Sequence, residues 1–201
     1  ALRTALEAFA CCAQGAGGGD GGDPLNVVFV GHVAHVASAL VRRGYRSGRS
    51  PADDNQRLFG RRPDFVMRKA GQSDAPANWI RGWVAPFQYR GNTVSLVQAG
   101  RPLEGRFGSD DGGLLLHPRI DEPRDLLIQD LLYSGGVAKL GFVEGLGAVE
   151  THHARVSAAE AKYRTDGLRA VMFFVPRPRA LSDLELLDWS PMPERRDVDG
   201  K

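Results

Sequence analysis

The sequence has no long apolar run and no large excess of charge of either sign. Its apolar stretches fall short of the roughly 18 to 20 residues that a membrane-spanning helix needs, so we expect the chain as it stands to be soluble. Its 26 basic and 24 acidic residues leave a net charge of +2. This balance produces no strong electrostatic field and argues against nucleic acid as a partner.

Cysteine is also scarce, with two residues in the chain, the adjacent Cys11 and Cys12. Adjacent Cα atoms are about 3.8 Å apart, which is below the usual disulfide range. We therefore expect these two cysteines not to pair with each other. Three interpretations stay open: two small, half-buried side chains, palmitoylation, or a bridge to another chain.

Several cofactor and catalytic motifs are missing. The turn after the first buried strand carries Gly31 alone and not the Gly-x-Gly-x-x-Gly set, so we reject a Rossmann dinucleotide site. Neither Ser38 nor Ser95 lies in a nucleophile-elbow sequence, which argues against a serine hydrolase. The sequence predicts no cofactor and no metal site.

The composition, 42% hydrophobic and 25% charged, is that of one globular domain. We divide the chain into an N-terminal amphipathic segment with a glycine-rich linker (1–23), an α+β domain (24–190) and a charged tail (191–201). The first residue is Ala1 and not methionine, which suggests a processed or truncated product whose upstream anchor, where one exists, is not visible.

Hydrophobic periodicity predicts a mixed β-sheet with helices mainly on one face, in a single α+β domain. The strongest hairpin signal covers residues 79–98, where Pro86 favours a strand end or an edge. Strands are predicted at 25–30, 64–68, 114–116, 137–143 and 168–175, and helices at 2–12, 33–41, from 121 to 134, and after Ser182. The glycine-rich stretch 14–23 is expected to be a flexible linker.

The best-defined unit is the segment 120–147, whose pattern predicts a helix, a glycine break and a strand. Asp121 and Pro123 mark the helix start, and Gly135 and Gly136 end it. Its buried stripe consists of Leu127, Ile128, Leu131 and Leu132. This unit is expected to supply much of the core.

Trp79, Arg81 and Trp83 alternate along a predicted strand and therefore share one face of it. One interpretation is a cation–π stack or the base of a ligand-binding groove. The other is that the tryptophans belong to the core or cover the sheet surface. We keep all three as candidate ligand-binding residues.

His117, Asp121, Arg124 and Asp125 form the densest titratable group, close to a predicted helix N-terminus. Backbone N–H groups there can hold an anion, and Arg124 would make a charge-assisted contact with it. In an enzyme, His117, Asp121 and Arg124 are the candidate catalytic residues. The alternative is that Asp121 only caps the helix.

Two histidine pairs in the sequence could in principle act as metal ligands. His32 and His35 are three residues apart at a helix start, but no acidic or cysteine partner is nearby in sequence, and a structural zinc site needs four ligands. His152 and His153 are consecutive in a polar loop and are expected to be a surface pair.

Five segments together resemble the LssY C-terminal domain family of bacterial envelope proteins, over roughly residues 23–190. The segments are Asp23 to Gly31, Leu58 to Arg61, Arg81 with Trp83, Arg124 to Val143, and Thr165 to Leu168. Members of this family occur alone or fused to membrane-embedded segments of the phosphatidic-acid-phosphatase and DedA types. The resemblance implies a bacterial envelope or membrane-associated setting, with a membrane-protein or lipid-associated partner, and leaves the oligomeric state unknown.

Two positions depart from the family pattern. Members carry a histidine just before the Arg-x-Trp strand, where this chain has Trp79, and a second histidine that falls within the segment 114–118, where this chain has leucine. Loss of both favours a non-catalytic binding or accessory domain. The alternative hypothesis is a hydrolase-type enzyme acting on a phosphate-bearing or lipid-like substrate.

Overall fold

The structure, a computed structural model, describes residues 1–15, 17, 20–48, 55–69, 78–101, 118–147, 155–156 and 162–189. Three α-helices, one 3-10 turn and thirteen strands lie within these ranges. In chain order they are α1 (Leu2–Glu7), β1 (Cys12–Gly15), β2 (Asp20–Pro24), β3 (Val27–Val30), α2 (Val33–Arg42), β4 (Tyr45–Ser47), β5 (Gln56–Arg57), β6 (Phe65–Lys69), β7 (Trp79–Tyr89), β8 (Asn92–Gly100), α3 (Asp121–Tyr133), β9 (Val137–Glu144), β10 (Arg155–Val156), β11 (Lys162–Tyr163), β12 (Leu168–Phe174), the 3-10 turn Leu181–Asp183, and β13 (Glu185–Leu186).

Eight of the strands form one mixed sheet in the order β13-β9-β12-β3-β8-β7-β6-β4. Strand β12 is parallel to β3, and β13 is parallel to β9. The other neighbours are antiparallel. A three-stranded sheet, β2-β1-β5, is the second main layer. The predicted α+β architecture with a mixed sheet is confirmed.

Helices α2 and α3 cover one face of the main sheet. Residues at alternate positions of β3, such as Val27 and Phe29, pack with Leu40 of α2 and with Leu127 and Leu131 of α3. Since alternate residues of a strand point to opposite faces, the intervening Val28 and Val30 pack on the other side.

The opposite face is covered by α1 and the three-stranded sheet. Leu2 and Leu6 of α1 pack there with Trp83 of β7 and Leu96 of β8, and Leu58 completes this layer near β5. Two helices on one face and one short helix on the other fit the prediction that helices lie mainly on one face. No helix among the described residues is long and apolar enough to span a bilayer.

The predicted central elements agree with the structure to within a few residues. Helix α2 ends before Gly44, whose φ of +86° is the left-handed conformation expected of a glycine there. Helix α3 likewise ends before Gly135, at φ +71°. The hairpin of β7 and β8 turns at Arg90 and Gly91.

The cysteine prediction is wrong. The sulfur atoms of Cys11 and Cys12 are bonded to each other, with Cα atoms 3.7 Å apart. The usual Cα separation describes cysteines that the chain brings together from a distance. A ring closed within one dipeptide has only the spacing that a single peptide bond imposes.

The glycine-rich stretch also differs from the flexible linker that its composition predicts. Strands β1 and β2 pair within it, with Gln14 opposite Asp20. A Cβ on Gly22 would lie 1.9 Å from the carbonyl oxygen of Ala13. Glycine here permits a close approach of two backbones, so the strands can form where glycine content alone predicts a linker.

Two further details differ from the sequence expectation. Pro86 lies within β7 and not at its end, in a stretch where the register between β7 and β8 shifts. Proline is tolerated at such an irregularity because a hydrogen bond of the ladder is already missing there. Where a helix is predicted after Ser182, the chain forms the 3-10 turn Leu181–Asp183 followed by the two-residue strand β13. The predicted strand at 114–116 and the tail 191–201 lie outside the described residues.

Replacing Gly100 by alanine tests the packing of the β7–β8 hairpin. Gly100 stands opposite Trp79, and a Cβ there would lie 2.1 Å from the indole ring, which is itself 1% exposed and has no room to move. We expect Gly100→Ala to lower the free energy of unfolding by about 1–3 kcal/mol, measured by chemical denaturation. Gly48→Ala is the control, because nothing lies within 4 Å of its Cβ position. Equal losses in the two variants would contradict the close approach of Trp79 to Gly100.

Candidate functional site

Arg81 lies in a buried polar cluster on the side of the main sheet that α1 covers. Its strand position is opposite Gln98 of β8, and its Nε donates to the Gln98 Oε1 atom. Its Nη2 lies 2.9 Å from Oδ2 of Asp23 on β2. The two charged side chains are 1% and 2% exposed, so this ion pair is removed from water.

Two glutamines complete the hydrogen bonding around Asp23. Gln56 of β5 donates to Asp23 Oδ2 at 2.7 Å and accepts the backbone N–H of Asp23 at 2.9 Å. Gln98 donates to the Asp23 carbonyl and to Gln56 Oε1, both at 2.8 Å. A buried ion pair is stable only where the remaining polar atoms are also satisfied, and this network meets that condition.

The two tryptophans that flank Arg81 are buried with it. The guanidinium carbon of Arg81 lies 4.9 Å from the Trp79 ring centroid, which is a cation–π contact. The Nε1 atom of Trp83 donates to the Arg61 carbonyl at 3.1 Å. The Nε1 atom of Trp79 has no hydrogen-bond partner among the described residues, and the ring packs with Ile120, Leu146 and Tyr163.

The face that the sequence predicts as a ligand groove is therefore covered by β2 and β5. Trp79, Arg81 and Trp83 share that face as predicted, and each is at most 1% exposed. A ligand that reached the guanidinium would have to displace Asp23 or Gln98. Their ligand-binding role stays a prediction.

Arg124 is the second buried guanidinium, and three carboxylates surround it. Its Nη1 and Nη2 atoms form a two-pronged contact with Asp166 at 2.8 and 2.9 Å, and its Nε donates to Asp125 at 2.9 Å. Its Nη1 also lies 3.6 Å from Asp121. Burial alone would lower the pKa of Arg124, but these carboxylates raise the pKa above its ordinary value. The guanidinium therefore stays charged and fully engaged.

Asp121 is the first residue of α3 and does not cap it. The N-cap position is Ile120, without a side-chain hydrogen bond. The Asp121 carboxylate instead accepts the Thr165 hydroxyl at 2.7 Å and the Asp166 backbone N–H at 2.8 Å. It joins the helix start to the turn before β12, which corrects the interpretation of a simple cap.

The structure brings two of the three candidate catalytic residues together. Asp121 and Arg124 are in contact, but His117 lies outside the described residues. An anion at Arg124 would compete with the carboxylates that already hold its guanidinium. The catalytic role of these three residues stays a prediction.

Arg169 on β12 is a third buried guanidinium, and sequence reasoning missed it. It donates to backbone carbonyls at the end of α1 and beside β3, among them Leu6 at 2.5 Å and Leu25 at 2.9 Å. No carboxylate contact to it is found among the described residues. Burial lowers the pKa of Arg169 to about 10. This side chain attaches the N-terminal helix to the sheet.

The histidine pair at the start of α2 was considered as a metal site because its two rings lie close together. The rings of His32 and His35 lie 5.3 Å apart. No group of three or more histidine, cysteine, aspartate or glutamate side chains suited to a metal occurs in the described part of the chain. His152 and His153 lie outside the described residues.

The partners of the buried arginines were not identified from the sequence. Asp23, Gln56 and Gln98 come from three different strands, and the position of Gln98 opposite Arg81 depends on an irregularity in β7. One usable signal was a polar residue inside an otherwise apolar strand, which applies to Gln98 and to Arg169. For Asp166 the sequence predicts only that it lies in a turn.

Scans of protein-family models, of curated protein sequences and of solved structures found no match to this chain.

The Asp23–Arg81 pair can be tested by a double-mutant cycle. Removing one partner leaves an uncompensated buried charge, so we expect Arg81→Met and Asp23→Asn each to lower the free energy of unfolding by roughly 3–5 kcal/mol. The double variant should lose less than the sum of the two. The control is Arg3→Ala, which breaks a surface pair with Glu7 and should cost less than about 1 kcal/mol. Additive losses would contradict a direct interaction.

Asp121 should give the chain a specific pH dependence. Burial raises the pKa of its carboxyl above the ordinary value of 3.8, so the folded state binds its proton more tightly than the unfolded state. The stability contribution of this group is therefore present below that ordinary value and is lost as the pH rises through the folded pKa. We expect the stability of Asp121→Asn relative to the unmodified chain to increase across this window and then level off, in denaturation curves taken from pH 3.5 upwards. A difference that is constant with pH would contradict the raised pKa.

Proposed function

We propose that this chain is a non-catalytic binding or accessory domain of a bacterial membrane-associated envelope system. The observation that carries the proposal is the internal use of its buried charges. The guanidinium groups of Arg81 and Arg124 are held by Asp23 and Asp166. Arg81 and Arg124 are the two arginines that the sequence predicts to contact a ligand.

A catalytic acid, base or anion-binding group needs hydrogen-bonding capacity left over for the substrate. The Asp121 carboxylate uses its oxygens on Thr165 and on the Asp166 backbone, and Arg124 uses its donors on Asp166 and Asp125. Such internal pairing is the arrangement of a structural network that fixes the start of α3 against the start of β12. It supports architecture over catalysis at this position.

The envelope setting rests on the family resemblance and on the order of its segments in the fold. Asp23 of the first segment and Arg81 of the third form a buried ion pair, and buried Arg124 of the fourth pairs with the partly exposed Asp166 of the fifth. Four of the five segments thus meet through charged side chains. This supports an interpretation in which the residues that carry the resemblance maintain one scaffold.

The alternative is a hydrolase acting on a phosphate-bearing or lipid-like substrate through His117, Asp121 and Arg124. One observation favours it: the Asp121 side chain is 24% exposed and has a raised pKa beside a buried arginine. Perturbed carboxyl groups of this kind also occur at active sites. The two functions predict opposite results in a hydrolysis assay.

Hydrolysis should be measured on p-nitrophenyl phosphate, bis(p-nitrophenyl) phosphate and p-nitrophenyl butyrate, which cover phosphate monoesters, phosphate diesters and carboxylic esters. We expect the release of p-nitrophenol by the unmodified chain to equal that of buffer. His117→Ala and Asp121→Asn should release it at the same background rate, because neither residue acts on a substrate.

The matched control is Arg90→Gln, a change in the exposed turn between β7 and β8. Turnover above buffer that both His117→Ala and Asp121→Asn abolish, and that Arg90→Gln retains, would overturn the non-catalytic proposal. It would establish the hydrolase alternative for that substrate class.

A further inference from the structure

Helix α2 is apolar on its outward face as well as on its inward face. Its sequence, VAHVASALVR, has no charged residue before Arg42. Ala39 and Leu40 are buried against the sheet, whereas Val33 and Val41 are 55% and 47% exposed. The other exposed residues of the helix before Arg42 are Ala34, Ala37 and Ser38. These valines and alanines form an apolar strip, with Ser38 and Arg42 beside it, that the described part of the chain leaves exposed.

Positive charge surrounds the C-terminal end of this strip. Arg42 donates to the Ser134 carbonyl at 3.2 Å, and Arg46 donates to the Val41 carbonyl at 3.0 Å. The guanidinium carbon of Arg43 lies 5.8 Å from the ring centroid of Tyr133, which is 64% exposed. The ends of α2 and α3 therefore present three arginines and an exposed aromatic ring together.

A second stretch of chain extends the basic surface. The backbone N–H of Arg179 donates to the Gly135 carbonyl at 2.9 Å, which places it beside the end of α3. Arg177 and Arg179 are both exposed. Gly136, the next residue after Gly135, lies close to α2, because a Cβ added to Gly136 would lie 3.1 Å from Nη2 of Arg42.

Acidic residues contribute little to this surface. From residue 24 to residue 52 the sequence contains four arginines and no aspartate or glutamate. Among the described residues, Asp130 of α3 is the carboxylate that contacts one of these arginines, and it is buried and already paired with Lys69 at 2.5 Å and with Arg43 at 3.6 Å. Asp183, in the exposed 3-10 turn, lies four residues beyond Arg179. The face is therefore apolar along the helix and positively charged at its end.

We propose that the outward strip of α2 docks on the surface of an anionic phospholipid bilayer. Val33 and Val41 would enter the boundary between headgroups and acyl chains, and Arg42, Arg43 and Arg46 would contact lipid phosphates. Tyr133 has the amphipathic ring that is enriched at this boundary. This inference rests on the proposed binding role and names the partner.

Charge complementarity decides the choice of occupant. In a symmetric dimer the same patch meets itself, so the arginines at its end would find no matching group of acidic side chains on the partner copy. A bilayer with anionic lipids supplies a continuous layer of phosphate and an apolar interior below it. The ten-residue helix is about 15 Å long, so it would lie along the surface and would not cross the bilayer.

Co-sedimentation with vesicles tests the docking. The full chain should sediment with vesicles of phosphatidylglycerol and phosphatidylcholine in equal parts and remain in the supernatant with pure phosphatidylcholine. Raising the salt concentration should release it, because screening weakens surface charge interactions. An excess of soluble glycerol 3-phosphate should not release it, since a free phosphate group lacks the apolar layer.

Two variants separate the charged and apolar parts of the face. Each arginine near an anionic bilayer contributes about a fivefold factor in affinity, so the triple change Arg42→Gln, Arg43→Gln and Arg46→Gln should weaken vesicle binding roughly a hundredfold. Val33→Ser with Val41→Ser should weaken it several-fold without a loss of thermal stability, because both side chains are half exposed. The controls are Arg3→Gln on α1, across the sheet, and Leu186→Ser, which changes a leucine that is 60% exposed on β13.

The outcomes are distinguishable. Sedimentation with anionic vesicles that both face variants reduce, and neither control reduces, supports the docking. Equal sedimentation of face variants and controls, absence of sedimentation with anionic vesicles, or release by glycerol 3-phosphate would overturn it. A dimer in analytical ultracentrifugation that Val33→Ser with Val41→Ser dissolves would also overturn it and assign the face to a second copy. None of these results depends on hydrolysis, so the proposed function can fail separately.

Discussion

The fold depends on the burial of three guanidinium groups, each of which needs partners from distant parts of the chain. Arg81 joins β2 and β5 to the β7–β8 hairpin, and Arg124 joins α3 to the turn before β12. Arg169 joins β12 to the end of α1 and to the start of β3. A buried charge without hydrogen-bond partners costs several kcal/mol, so each arginine stabilises only the arrangement in which its carboxylate or carbonyl partners are present. Alternative packings of the same apolar layers would leave these charges unsatisfied.

The sequence allowed prediction of the elements with a strong period, and for a physical reason. Helices α2 and α3 and the strands around β3 and β12 are specified by local patterns of apolar residues and by glycines at their ends, which act over a few residues. The pairing of β1 with β2 was not predictable in this way. Gly22 is needed there because a neighbouring backbone approaches it, and that neighbour is invisible in a local pattern.

The partner of Arg81 shows why the candidate site was only partly predictable. Counting back from the hairpin turn at Arg90 and Gly91 places Arg81 opposite Gly100. The register shift between Val84 and Gln88 moves Gln98 into that position instead. The alternation of side chains along a strand thus predicts correctly that Trp79, Arg81 and Trp83 share a face. The residues opposite them depend on the irregular pairing of β7 with β8. The layer that covers them comes from strands far away in sequence.

Net charge was the least informative of the sequence measures, because it averages over regions that the fold separates. A net charge of +2 argues against a strong overall field, yet the carboxylates are distributed unevenly. Asp23, Asp121, Asp130 and Asp166 are drawn into pairs with buried or neighbouring basic groups. The acid-free stretch between Asp23 and Asp53 meanwhile places Arg42, Arg43 and Arg46 at the end of a helix whose outward side is apolar. Internal pairing of acids therefore leaves a local positive surface that the sum of charges conceals.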